Sequence, residues 1–151
     1  MSGVVERYAD GEIIVREGEM GREMYVIQRG AVEVLKSIGG RTVVLATLQR
    51  GSFFGEMSLL ESLPRSATVR AKGDAQLLVI EPGGLLLKIR RDPTFAFEML
   101  QHMSRRIRDL DEQLMNVLRE AAPADMDDEM RISGLFPKHR PPQAAAESPA
   151  L

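Results

Sequence analysis

Residues 54–69 read Phe54-Gly55-Glu56-Met57-Ser58-Leu59-Leu60-Glu61-Ser62-Leu63-Pro64-Arg65-Ser66-Ala67-Thr68-Val69. A glycine turn, the carboxylate of Glu56 and the guanidinium of Arg65 fall within a dozen residues, with apolar side chains between them. Glycine lets backbone N–H groups approach an anion closely, and the start of a short helical turn directs its positive end there. Arginine supplies a planar fork that matches phosphate oxygens. A carboxylate cannot hold a phosphate, so Glu56 is assigned to neutral hydroxyls, such as those a ribose offers. A phosphate with a hydroxylated sugar beside it is a nucleotide.

With these residues in place, the stretch resembles the phosphate-binding cassette of cyclic nucleotide-binding domains of the Crp and protein kinase A regulatory-subunit type. That pattern is F-G-E-x-A/S-L followed by P-R-x-A-T/S-V. It is matched at Phe54, Gly55, Glu56, Ser58, Leu59, Pro64, Arg65, Ala67, Thr68 and Val69. The interval from Glu56 to Arg65 also fits. Residues 18–34 are similar to a second family pattern, G-x-x-G-x-x-x-Y-x-I-x-x-G-x-V-x-V, at Gly18, Gly21, Tyr25, Ile27, Gly30, Val32 and Val34. These glycines are read as turn geometry that supports the fold, without contact to ligand.

Composition excludes several other chemistries. The chain has 151 residues, enough for one domain with a proper core. No apolar run approaches the roughly 18 residues that span a bilayer, and no signal peptide is expected at the N-terminus. There are no cysteines, which rules out disulfides and thiolate metal sites and fits a cytoplasmic protein. The two histidines, His102 and His139, are too far apart in sequence to suggest a metal site or a His-based triad. Net charge is −2, and residues 1–120 carry 17 acidic and 17 basic side chains. So even a balance leaves no electrostatic footprint for nucleic acid.

From residue 10 onward the chain is a run of short strands punctuated by glycine. Strands are expected over residues 12–15, 23–28, 31–36, 42–48, 68–71 and 76–80, with Gly39-Gly40 as a hairpin and Phe53-Phe54 leading into the cassette. Regular spacing with no intervening helix predicts a mainly β fold with flanking helices: an antiparallel barrel or double-stranded jelly roll over residues 4–81. Placing the cassette between two strands lets the barrel interior form the apolar wall of the pocket.

A short helix is expected over residues 82–90, although Gly83-Gly84 weakens its first turn by about 1 kcal/mol per glycine. Asp92-Pro93 then opens a long helix to about residue 120. Along it Leu100, Ile107 and Leu114 recur every seven residues, as do Met103, Leu110 and Val117. The first half of this seam suits packing on the barrel. Beyond Leu110 a partner helix is the better explanation, which predicts a homodimer through residues 93–120. Residues 1–120 would thus form the nucleotide-binding domain. Residues 121–151 hold five of the eight prolines and an acidic run at 125–129. They read as a disordered tail, or as a docking motif around Ile132, Leu135 and Phe136.

The resemblance implies a 3′,5′-cyclic nucleotide, cAMP or cGMP, as a regulatory ligand. Residue by residue, Glu56 would accept the ribose 2′-hydroxyl and Arg65 would pair with the cyclic phosphate. Backbone N–H groups from Gly55 to Ser58, including Met57, would complete the anion cradle, with Ser66 beside the phosphate and Phe54 and Ala67 framing the site. Val43, Val44 and Leu45 are candidates to wall the base, though core packing is the simpler role for them. Family members often cap the base with an aromatic residue of the last helix. None occurs here between Phe97 and Phe136, which leaves Met99, Met103, Arg105, Arg106 or Arg108. Phosphate and ribose recognition are well specified and base identity is not, with cAMP favoured over cGMP. The expected function is a stand-alone sensor that performs no chemistry and signals to a separate effector protein. The rival is a ligand-independent interaction module with a vestigial pocket.

Overall fold

Apolar and β-branched residues alternating between glycine turns build the molecule around one antiparallel sheet. The computed structural model describes residues 3–121. In chain order the elements are β1 (Val4–Tyr8), β2 (Ile13–Val15), β3 (Met24–Ile38), β4 (Arg41–Gln49), β5 (Phe53–Phe54), α1 (Glu56–Glu61), β6 (Thr68–Ile80), α2 (Pro82–Arg91) and α3 (Pro93–Ala121). The sheet runs β1-β6-β3-β4, with β2 added on β6 and β5 on β3. β1 and β4 remain edges, so the expected barrel does not close by pairing. The fold class stands: a mainly antiparallel β fold with a long C-terminal helix.

Two boundaries differ from expectation for one physical reason. Residues 23–28 and 31–36 form a single strand, β3, and residues 68–71 and 76–80 a single strand, β6. Gly30, read as a break, instead sits inside β3 at φ 77. The β3–β6 register shifts on either side of Arg29. A glycine in the left-handed region accommodates a bulge, which bends a strand without ending it.

Period-two alternation sends neighbouring residues into separate cores. Tyr25 and Phe54 join Val15, Ile27, Val32 and Leu77 in one cluster. Their neighbours Met24 and Phe53 join Leu59, Ile80, Leu85, Phe95 and Met99 in the other. The second cluster fastens both helices to the sheet, and burying a large apolar side chain there contributes about 1.5–3 kcal/mol. β4 departs from the expected core role, since Val43, Val44 and Leu45 are all exposed. Only Leu48 of that strand packs against the first cluster.

α2 begins at Pro82 despite its two glycines, with Glu81 as an extended N-cap residue. Proline at the first position has the φ a helix needs, and Lys88, Arg90 and Arg91 complement the helix dipole at the far end. The backbone divides into two units between Met103 and Ser104, inside α3. In the first unit Phe95 and Met99 are buried, and Met103 packs against the same cluster. In the second, Ile107, Leu110, Leu114 and Val117 expose their apolar side chains. The tail expected at residues 121–151 lies, apart from Ala121, outside the described residues.

Candidate functional site

Gly55 sits between β5 and α1 at φ 85, where a Cβ would lie 2.7 Å from the Glu23 carbonyl oxygen and 2.9 Å from Nη1 of Arg65. Only glycine fits this corner, for reasons of both backbone conformation and space. α1 starts immediately after it, so the first backbone N–H groups of residues 56–58 have no intrahelical acceptor. The helix is pinned from below by Leu59 and Ser58, both buried.

Arg65 is the most heavily constrained residue of the site. It is 6% exposed, and charged side chains are almost never so buried without a partner. Its Nη1 donates to the Glu23 carbonyl at 2.7 Å, and its Nη2 donates to the Glu23 carboxylate at 3.2 Å. Its backbone is held as well: its N–H donates to the Glu19 carbonyl at 2.9 Å, and its own carbonyl accepts from Gly18 at 2.8 Å. The guanidinium carbon lies 5.9 Å from the Tyr25 ring centroid, and that ring stacks on Phe54 at 4.9 Å. Burial pushes the Tyr25 phenol above its ordinary range, against the opposing pull of Arg65.

Further along the cassette, Lys36 Nζ donates to the Ser66 carbonyl at 2.7 Å and pairs with Glu17 at 3.4 Å. Thr68 Oγ1 accepts from the Glu17 N–H at 3.0 Å. The C-terminal end of the cassette is thus tied to the segment of residues 17–23 through both Arg65 and Thr68.

Of the expected site residues, Gly55 and Arg65 meet at one corner, with half-buried Glu56 beginning α1 and Ser58 buried in its first turn. Phe54 is buried in the core, which makes it a support for the corner. Met57 and Ser66 are exposed and Ala67 is half-buried. Met99, a candidate to cap the base, is buried in the helix-facing cluster. Sequence reasoning missed Glu23, and it missed that Gly21 is a seat for the arginine: a Cβ there would meet Nη2 of Arg65 at 2.8 Å. The spacing of Gly18 and Gly21 ahead of Tyr25 was the available signal. Among the described residues no cluster of three or more His, Cys, Asp or Glu is placed to hold a metal. No helix there is long and apolar enough to cross a membrane.

Comparison with known proteins agrees with this geometry. The chain is 36% identical over 108 residues to the Cyclic AMP receptor protein of Thermus thermophilus, covering 71% of this chain and 50% of that one. It is 43% identical over 67 residues to a cAMP-dependent protein kinase regulatory subunit of Blastocladiella emersonii, covering 44% of this chain and 17% of the relative. The chain therefore spans half the length of these curated relatives, or less. Among solved structures, the Thermus thermophilus Catabolite Activator Protein aligns with TM-score 0.66 at 27% identity, covering 87% of this chain and 71% of that one. The regulatory domain of Toxoplasma gondii PKA, solved with cAMP, aligns with TM-score 0.56 at 26% identity, covering 72% of this chain and 40% of that one. Residues 5–92, more than half of the chain, match the family described as the cyclic nucleotide-binding domain. The chain belongs to that family.

Proposed function

We propose that the chain is a cytoplasmic cyclic-nucleotide sensor that performs no chemistry and prefers cAMP to cGMP. The observation that carries this reading is the placement of Arg65. It is buried, held on a backbone carbonyl by one nitrogen, and set beside a glycine corner that opens the N-terminus of α1. In the proposed complex Arg65 pairs with the cyclic phosphate, and N–H groups from Gly55 through Met57 to Ser58 complete the cradle. Glu56 accepts the ribose 2′-hydroxyl, Ser66 sits beside the phosphate, and Phe54 and Ala67 frame the site. The preference for adenine draws support from relatives named for cyclic AMP, while a cGMP-dependent protein kinase of Eimeria tenella is also 38% identical over 117 residues.

Residues 1–120 act as the nucleotide-binding domain and residues 121–151 as a tail. The output passes through α3 or the tail to a separate effector protein, and two chains associate through α3. Ile107, Leu110, Leu114 and Val117 support that association, because an apolar seam exposed to water has a free-energy reason to find a partner. A ligand shifts such an equilibrium only by its preference for one state, so the switch requires the helices to adopt different positions with and without nucleotide. The balanced charge of residues 1–120 supports a protein partner and not a nucleic acid.

Calorimetry of the full chain with cAMP and with cGMP tests the reading. Saturable heat is expected with both, larger in affinity for cAMP; no heat at millimolar nucleotide would sink it. One observation favours the rival interaction module: the Arg65 charge already has a carboxylate partner in Glu23. The same titration separates the two.

A further inference from the structure

Away from the cassette, three strands bring two arginines into one row. Arg7 on β1 and Arg29 on β3 both stand opposite Gln76 on β6. Residues directly opposite in antiparallel strands share a face, so the two guanidinium groups flank Gln76 across about 10 Å, two strand spacings. Among the described residues, no ion pair or hydrogen bond engages either guanidinium. Two like charges so placed repel.

The row lines a cavity of about 330 Å³, together with Tyr8, Asp74 and Ala75. Gly30 lets β3 close on β6 beside it so tightly that a Cβ would lie 2.2 Å from the Asp74 carbonyl oxygen. The Gln76 amide is fixed as a floor by donating to Gln28 at 3.1 Å. Asp74 supplies a carboxylate on the rim, and no ion pair or hydrogen bond engages it.

We infer that this cavity is a second anion site, separate from the cassette, that takes a small phosphorylated molecule bearing a hydroxyl group. Arg7 and Arg29 converge on the phosphate, whose planar recognition by guanidinium is strong. Asp74 accepts from the hydroxyl and repels an extended polyanion, which disfavours an acidic peptide. The site does not depend on the cassette being functional.

The test is a titration of the isotope-labelled full chain with inorganic phosphate and with ribose 5-phosphate, followed by amide NMR shifts. Saturating shifts are expected at Arg7, Ala9, Arg29 and Gln76 with Kd of about 1 mM or tighter, and ribose 5-phosphate should bind more tightly than phosphate. The Arg7→Gln/Arg29→Gln double variant, altered only at exposed positions, should lose about tenfold or more in affinity. Arg65→Ala should leave these shifts in place even if it abolishes those of the cassette. Shifts confined to residues 55–66, or unchanged in the double variant, would overturn the site. Equal affinity for the two probes would overturn the assignment of a hydroxylated ligand.

Discussion

Arg65 grips a single residue twice, the carbonyl of Glu23 at 2.7 Å and its carboxylate at 3.2 Å. The two contacts have different consequences for an incoming phosphate. The carbonyl orients the fork without charge, whereas the carboxylate competes with the ligand for the same nitrogen. Glu23 has a side chain 41% exposed, so it can swing away at modest cost. Glu23→Gln should keep the arginine in place and raise cyclic-nucleotide affinity by several-fold and up to about tenfold, since a charge-assisted hydrogen bond gives way to a neutral one about 1 kcal/mol weaker. Calorimetry against the unmodified chain reads the change; weaker binding would mean that the carboxylate orients the fork.

Arg65→Ala should lower affinity for cAMP by about a hundredfold or more, from the loss of a charge-assisted pair in a buried setting. Arg65→Lys should recover only part of it, because an ammonium cannot reproduce the planar fork. Direct binding measurements on both variants decide whether geometry or charge alone is needed.

Gly55→Ala and Gly39→Ala form a matched pair. Both positions have positive φ, but a Cβ at Gly39 meets nothing within 4 Å. Gly39→Ala should cost about 1–2 kcal/mol from backbone conformation alone. Gly55→Ala adds a collision with the backbone of Glu23 and with Arg65, for a total of about 2–5 kcal/mol. Urea unfolding of the two variants isolates the steric part, and equal losses would remove the claim that this corner is space-limited.

How far this site could be read from sequence follows from separation along the chain. Gly55, Glu56 and Arg65 lie within one short stretch, so the glycine turn and the arginine beside it were legible there, while the burial of Arg65 was not. Glu23 lies 42 residues from Arg65, and no local pattern announces that partnership. Gly30 was visible as a glycine but not as a bulge, because whether a glycine ends a strand or bends it is decided by the neighbouring strand. Val43, Val44 and Leu45 misled for a third reason. Their run lacks alternation, so no periodicity told which face would be covered.

Tyr25 makes stability fall in alkali. Its phenol is held above the ordinary value of 10.0 first by burial, so the folded state keeps the proton longer than the unfolded chain does. Stability from this group is fully present below pH 10 and declines as pH rises above it. Denaturant unfolding at pH 9 and pH 11 should show the decline, and Tyr25→Phe should reduce it, leaving the part due to Tyr8, whose phenol is also raised by burial and by Glu6. An identical slope in the variant would exclude this phenol as the cause.

The dimer proposal rests on α3. Ile107→Asp combined with Leu114→Asp should give a monomer by solution mass measurement, with nucleotide affinity changed by less than about threefold. A wild-type chain that is already monomeric, with and without nucleotide, would remove the proposal.

β4 has consequences for how the protein behaves in concentrated solution. Among the described residues it pairs on one side only, through β3, and its residues 42–48 are uncharged, proline-free and rich in β-branched side chains. An open ladder of that composition is a template on which a strand from another molecule can nucleate aggregation. Neither an edge charge nor a proline guards the middle of this strand. The edge of β4 is thus a second sticky surface beside the α3 seam, and Val44→Lys, at an exposed position, is the substitution that would blunt it.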